Sequence, residues 1–194
     1  YEAVHQIDSW EDLRARLEPA DRRCFAFFHP TLADEPLIFV EVALQGEIPD
    51  AIAPVLAMGR PATDPAKATT AVFYSISNCQ LGLRGVSFGN FLIKQVVEEL
   101  KRECPSLDTF VTLSPVPGFL AWVGRTRSAK NPAPFTPADL ETLKLLDELD
   151  WHRDPAACKA VKPVLQNAIA YYLLVARGRD GSAVDPVARF HLGN

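Results

Sequence analysis

Three stretches hold residues whose types and spacing could do chemistry. The first is Leu113-Ser114-Pro115-Val116-Pro117-Gly118-Phe119, one small hydroxyl in a turn stiffened by two prolines. Ser114 has two readings there. It is a turn-former whose hydroxyl bonds a nearby backbone N–H, or a hydroxyl held still for catalysis. The heptapeptide alone does not choose between them. The second is His191 in "VARFHLGN", whose ordinary pKa near neutrality makes it the best acid/base candidate in the chain. Its competing reading is a histidine on an extended segment, satisfied by a backbone carbonyl.

The third stretch is "LGLRGVSFGNFLIK", residues 81–94. Gly82, Gly85 and Gly89 lie between a strand pattern and an amphipathic helix pattern. Glycines at such a junction let backbone N–H groups approach an anion, and a helix N-terminus adds about half a positive charge. Arg84 brings a full charge. The run Arg84-Gly85-Val86-Ser87-Phe88-Gly89, continued by Asn90, fits a pyrophosphate cradle. It equally fits a plain glycine-rich connection. It is neither a Walker A loop, since no GK[ST] follows, nor GxGxxG. If an anion binds, a pyrophosphate-bearing carrier such as coenzyme A is the natural ligand.

The remaining polar residues carry weaker signals. Ser75, Ser77 and Asn78 in "YSISNCQ" either close a strand or orient an acyl group. His29 precedes a proline and reads as a turn residue, while His5 and His152 read as surface positions. No histidine has metal-ligand spacing with another His, Cys or Asp, so no metal is expected. The four cysteines, Cys24, Cys79, Cys104 and Cys158, are scattered without CxxC spacing. They read as reduced thiols of a cytoplasmic protein.

The elements that must position these residues follow from patterning. "SWEDLRARLEP" is a short helix capped by Ser9. "RRCFAFFHP" and "PLIFVEVAL" read as strands separated by a turn-rich linker, "PTLADEP". The second strand is interrupted only by Glu41 and so belongs inside a sheet. "TAVFYSIS", the glycine loop, the helix "FLIKQVVEELKREC" and the strand in "DTFVTL" form a βαβ-like unit. "LAWVGR" starts a short helix. "TPADLETLKLLDEL" opens with a Thr136 cap and Pro137. "DPAACKAVKPVLQNAIAYYLLVARG" reads as helix broken near Pro163, and "SAVDPVARFHLGN" as extended.

At 194 residues and 48% hydrophobic content, the chain can bury a genuine core. Its net charge of −4 argues against a nucleic-acid partner. No run approaches the ~20 apolar residues of a membrane span, and the start lacks the pattern of a signal peptide. The extended apolar run at the end suggests a fragment of a longer chain.

Taken together, "HPTLADEPLIFVEVAL", "FYSISNCQLGLRGVSFGNFLIKQVVEELK", "LSPVPGF" and "DPVARFHLGN" resemble the malonyl-CoA decarboxylase family, in order and spacing, over nearly the whole chain. The resemblance implies an α/β fold, an acyl-CoA N-acetyltransferase-like mixed sheet flanked by helices, with residues 1–194 a fragment of the catalytic domain. It implies that Arg84, Gly85, Val86, Ser87, Phe88, Gly89 and Asn90 hold the coenzyme A pyrophosphate. It assigns the catalytic serine to Ser114 and the catalytic histidine to His191. The implied reaction turns malonyl-CoA into acetyl-CoA and CO2, with no cofactor, because coenzyme A is part of the substrate. A CoA-dependent acyltransferase and a non-catalytic acyl-CoA-binding domain are the alternatives. Many relatives carry an acidic residue where this chain has Ser87. Family members also carry a helical N-terminal domain, through which the resemblance implies homo-oligomerisation, and they continue beyond the "HLxNG" motif.

Overall fold

The computed structural model describes residues 4–83 and 89–192, with Gly89 and Asn90 described in backbone only. The chain divides into two compact units, Tyr1–Pro115 and Val116–Asn194.

The first unit is built on a four-stranded sheet of order β1-β2-β3-β4: β1 Arg22–His29, β2 Leu32–Gln45, β3 Thr70–Asn78 and β4 Thr109–Thr112. The first three strands pair antiparallel, and β3 pairs parallel with β4. The parallel pair is joined through helix α3, Gly89–Glu103, which is the βαβ unit expected from the sequence. Even-numbered β2 residues Ile38, Val40, Val42 and Leu44 share a buried cluster with Ala71 and Phe73 of β3. Against them α3 sets Leu92, Val96 and Leu100, spaced four apart on one helical face. Full burial of each such side chain is worth about 1.5–3 kcal/mol.

Two short helices also belong to this unit, α1 Trp10–Leu17 and α2 Ile52–Leu56. As expected, Ser9 caps α1, its hydroxyl accepting from the Asp12 N–H at 3.1 Å. On the sheet face away from α3, Val55 of α2 packs with Ala43, Val72 and Tyr74. Strand β3 carries a bulge there. Glu41 opposes Ser75 while Val42 opposes Phe73, so Tyr74 is the extra residue.

One boundary differs from the sequence reading. The expected linker "PTLADEP" is mostly strand: β2 begins at Leu32, directly after the two-residue turn Pro30–Thr31. Leu32–Glu35 are solvent-exposed, so backbone pairing rather than an apolar face makes them strand.

The second unit is helical: α4 Phe119–Arg127, α5 Pro137–Thr142, α6 Pro155–Leu174 and α7 Pro186–Leu192. Its core gathers Phe119, Trp122, Val123, Phe135, Leu143, Ala168 and Tyr172. Trp122 lies at its centre, 5.1 Å from the Tyr172 ring and 6.1 Å from Phe135, centroid to centroid. Helix α5 starts at the expected capping box, with Thr136 and Asp139 bonding reciprocally through side chain and backbone.

Two readings of this unit are corrected. Helix α6 runs unbroken through Pro163. A proline cannot donate to the carbonyl four residues back. Here Pro163 and Lys159 are both exposed, so water can serve that carbonyl, while Val161, Ala168 and Tyr172 hold the buried side. The expected extended segment after Ser182 is in part helix α7. Asp185 caps it, its Oδ1 accepting from the N–H groups of Val187 and Ala188 at 2.8 and 3.2 Å, and Pro186 is its first residue.

Candidate active site

Ser114 sits just beyond β4, at the end of the first unit, and is exposed. The parallel ladder reaches almost to it, since Leu113 N–H donates to the Phe73 carbonyl at 2.8 Å. That bond fixes where the strand stops and the proline turn begins. The turn then feeds α4: Phe119 N–H donates to the Val116 carbonyl at 3.2 Å, and Trp122 N–H to the Gly118 carbonyl at 3.0 Å.

His191 lies on the last turn of α7, in the second unit, at an exposed position. Its ring stands edge-on to Phe190, 5.0 Å between centroids. The surrounding protein still removes enough water from the ring to hold its pKa below the usual histidine value. The His191 imidazole is therefore weighted towards its neutral form near neutrality.

Of the expected pyrophosphate loop, Arg84, Gly85, Val86, Ser87 and Phe88 lie outside the described residues. Gly89 and Asn90 are the first two residues of α3, at the end that carries the positive half of the helix dipole. Lys94 is exposed one turn further on. Ser75 and Ser77 are buried on β3, their hydroxyls 3.3 Å apart, and Asn78 closes the strand at an exposed position. His29, expected in a turn, is instead the exposed last residue of β1, next to the turn, its Nδ1 2.6 Å from the Thr31 hydroxyl.

Sequence reasoning missed the polar side of the sheet. His5, read as a surface residue, is half-buried, and its carbonyl accepts from Arg16 Nη1 at 2.8 Å. Arg16, itself buried, is held from below by Asp12 at 2.9 Å. Burial, and then the positive charge of Arg16, keep the His5 pKa low. Glu41 is buried on β2, and burial raises its carboxyl pKa although a Ser75 hydrogen bond works the other way. At the far end of the sheet Asp21 is fully buried. Its two oxygens accept from Arg60 at 2.6 and 2.8 Å, and one also accepts from the Thr63 N–H at 2.9 Å. Burial would raise the Asp21 pKa, but Arg60 and the Thr63 N–H outweigh it, and the net shift is downward.

Sequence reasoning also missed Asp185 and Tyr172. The Tyr172 hydroxyl donates to Asp185 Oδ2 at 3.0 Å, and both residues are buried. The Asp185-Pro186 pair carried the same helix-start signature as Thr136-Pro137 and was the available signal.

The thiols offer no competing nucleophile among the groups whose titration is shifted. Burial, with Glu41 nearby, lifts Cys24 to about 11, and burial also raises Cys79 and Cys104. Among the described residues no three His, Cys, Asp or Glu side chains gather into a metal-binding group, and no helix is long and apolar enough to cross a membrane.

Against this geometry, the family model "Malonyl-CoA decarboxylase C-terminal domain" matches residues 1–194. Two curated relatives are the mitochondrial malonyl-CoA decarboxylases of Anser anser anser and Rattus norvegicus. Each is 38% identical over 213 residues, an alignment that takes in 100% of this chain and 42% and 43% of theirs. Among solved structures, malonyl-CoA decarboxylase from Agrobacterium vitis superposes with a TM-score of 0.92 at 60% identity. The enzyme from Rhodopseudomonas palustris gives 0.89 at 56%. Both superpositions cover 100% of this chain, and 48% and 44% of those chains. The chain thus spans somewhat under half the length of the relatives it matches. The mixed sheet flanked by helices, the motif order and the end-to-end family match agree: the chain belongs to the malonyl-CoA decarboxylase family.

Proposed function

We propose that the protein carrying this chain converts malonyl-CoA into acetyl-CoA and CO2, with Ser114 and His191 as its catalytic residues. The observation that supports this most is the family match over all 194 residues, which takes in both the turn of Ser114 and the helix of His191. Residues 84–90 are the proposed seat of the coenzyme A pyrophosphate, at the head of α3.

The chemistry asks for few groups. The bond between the carboxylate carbon and the α-carbon breaks, and its electron pair moves into the thioester to form an enolate as CO2 leaves. The thioester carbonyl is itself the electron sink, so the proposed reaction uses no cofactor or metal. One proton must then reach the α-carbon. His191 donates it as the imidazolium and is recharged from solvent; such a positioned acid contributes ~10²–10⁴-fold. Ser114 donates a hydrogen bond to the substrate carboxylate or to the developing oxyanion. A donor aimed at an oxyanion is worth a few kcal/mol (about 3) in a site closed to water. The negative charge of the bound substrate and of the enolate raises the low pKa of His191 when protonation is needed.

Product analysis tests this reading. Malonyl-CoA incubated with the full-length protein is expected to yield equimolar CO2 and acetyl-CoA without an added amine. Amine-dependent release of free coenzyme A would instead make the protein an acyltransferase. Binding of malonyl-CoA without turnover would make it an acyl-CoA-binding protein. The proposed location is the cytoplasm, in keeping with four free cysteines, and the proposed assembly is a homo-oligomer formed through segments outside this chain.

A further inference from the structure

The second unit brings three of its elements together at one buried hydroxyl. Tyr172, on the last turn of α6, donates from its hydroxyl to Asp185 Oδ2 at 3.0 Å. The other oxygen of Asp185 holds the start of α7, accepting from Val187 and Ala188 N–H. The backbone carbonyl of Asp185 also accepts from Arg189 N–H at 3.0 Å. One carboxylate therefore sets both the start and the direction of the helix that carries His191. Asp185 is fully buried, and Tyr172 is 2% exposed.

The turn that leads away from Ser114 meets the same point. A Cβ at Gly118 would lie 2.8 Å from the Tyr172 hydroxyl oxygen and 3.8 Å from Asp185 Oδ2. Gly118 has φ −81° and ψ −10°, a conformation open to any residue. Position 118 is therefore glycine because of the space the tyrosine hydroxyl takes, not because of backbone strain.

We propose that Tyr172 and Asp185 are positioning residues for His191, and that Gly118 leaves the room that the Tyr172 hydroxyl needs to hold that position. This rests on the decarboxylase reading above. The hydroxyl is separable from the fold. The Tyr172 ring packs on Phe119 and Trp122, at 5.6 and 5.1 Å, and Tyr172→Phe leaves that packing in place. A tyrosine serving only the core would lose little catalysis with its oxygen. A positioning tyrosine would lose kcat, because small misplacements of a catalytic group are costly.

The experiment is a double-mutant cycle in the full-length protein, comparing Gly118→Ala, Tyr172→Phe and the pair. Tyr172→Phe is expected to lower kcat about tenfold with KM for malonyl-CoA unchanged. Gly118→Ala is expected to lower kcat about a hundredfold, since the new methyl group pushes on the hydroxyl. The double variant, which lacks the oxygen the methyl group would strike, is expected to recover to the Tyr172→Phe level. Wild-type kcat in Tyr172→Phe, or a double variant no better than Gly118→Ala, would overturn the proposal. The imidazole NMR signal of His191, identified by its loss in His191→Ala, reads the same geometry without turnover. It is expected to shift in Tyr172→Phe, and an unmoved signal would also overturn the proposal. An inactive wild-type protein would count against the decarboxylase reading alone, leaving the NMR comparison to decide on the positioning.

Discussion

The two units place their candidate catalytic residues by different means. In the first, Ser114 follows a strand whose position is set by a backbone ladder, Thr70 to Phe73 pairing with Thr109 to Thr112 and Leu113 adding one more bond. In the second, His191 rides on a seven-residue helix placed by one side chain, Asp185. A helix that short is not stable by itself. Ladder bonds do not depend on side-chain identity, whereas a cap and a buried hydroxyl do. Placement of Ser114 should therefore tolerate substitution within β4, whereas placement of His191 should not tolerate loss of Asp185.

The sharpest way to break that contrast is a pair of alanine variants. Asp185→Ala removes the cap of α7 and leaves the Tyr172 hydroxyl buried without its acceptor, for a loss of about 2–4 kcal/mol. Thr112→Ala, half-buried at the end of β4, should cost less than about 1 kcal/mol. Urea unfolding midpoints measure both, and similar losses would erase the distinction.

Asp21 is the place where the first unit itself relies on a side chain, tying the start of β1 to the segment around Arg60 and Thr63. Its folded-state pKa is lowered, so its contribution is fully present above the pKa of the unfolded chain and is lost as pH falls through the folded value. Asp21→Asn should cost about 2 kcal/mol at neutral pH. The difference from wild type should shrink in acid, as thermal melts across that range would show. A difference independent of pH would contradict the ion-pair role.

The smallest effect runs the other way. Burial raises the folded-state pKa of Glu41, so its ionised form costs stability above the pKa of the unfolded chain. Glu41→Gln is expected to gain about 1 kcal/mol at neutral pH and nothing in acid. A loss at neutral pH would mean that the charge is better served by Arg16 and Arg22 than its burial suggests.

Much of this was legible in the sequence, and the exceptions share a cause. The βαβ unit, the central place of β2 and the Ser9 and Thr136 caps follow from apolar spacing and local side chain-to-backbone bonds, which are sequence-near signals. The start of β2 was hidden because residues 32–35 are exposed and carry no alternation. The continuity of α6 past Pro163 was hidden because tertiary packing of Val161 and Ala168 outweighs the local penalty. Helix α7 was hidden behind "VARF", whose apolar residues mimic a strand while the cap, Asp185, stands two residues ahead. At the candidate site the residue types were legible in Ser114 and His191. The support from Tyr172 and Asp185 was not, because a bond across thirteen residues between two helices leaves no periodic trace.

The most direct test of the central claim is CO2 release from malonyl-CoA by the full-length protein and by its Ser114→Ala and His191→Ala variants, with coenzyme A binding measured in parallel. The account predicts a fall in kcat of ~10²–10⁴-fold in the histidine variant, and at least about a hundredfold in the serine variant, with coenzyme A affinity retained. Near-wild-type CO2 release from either variant would contradict the role given to that residue.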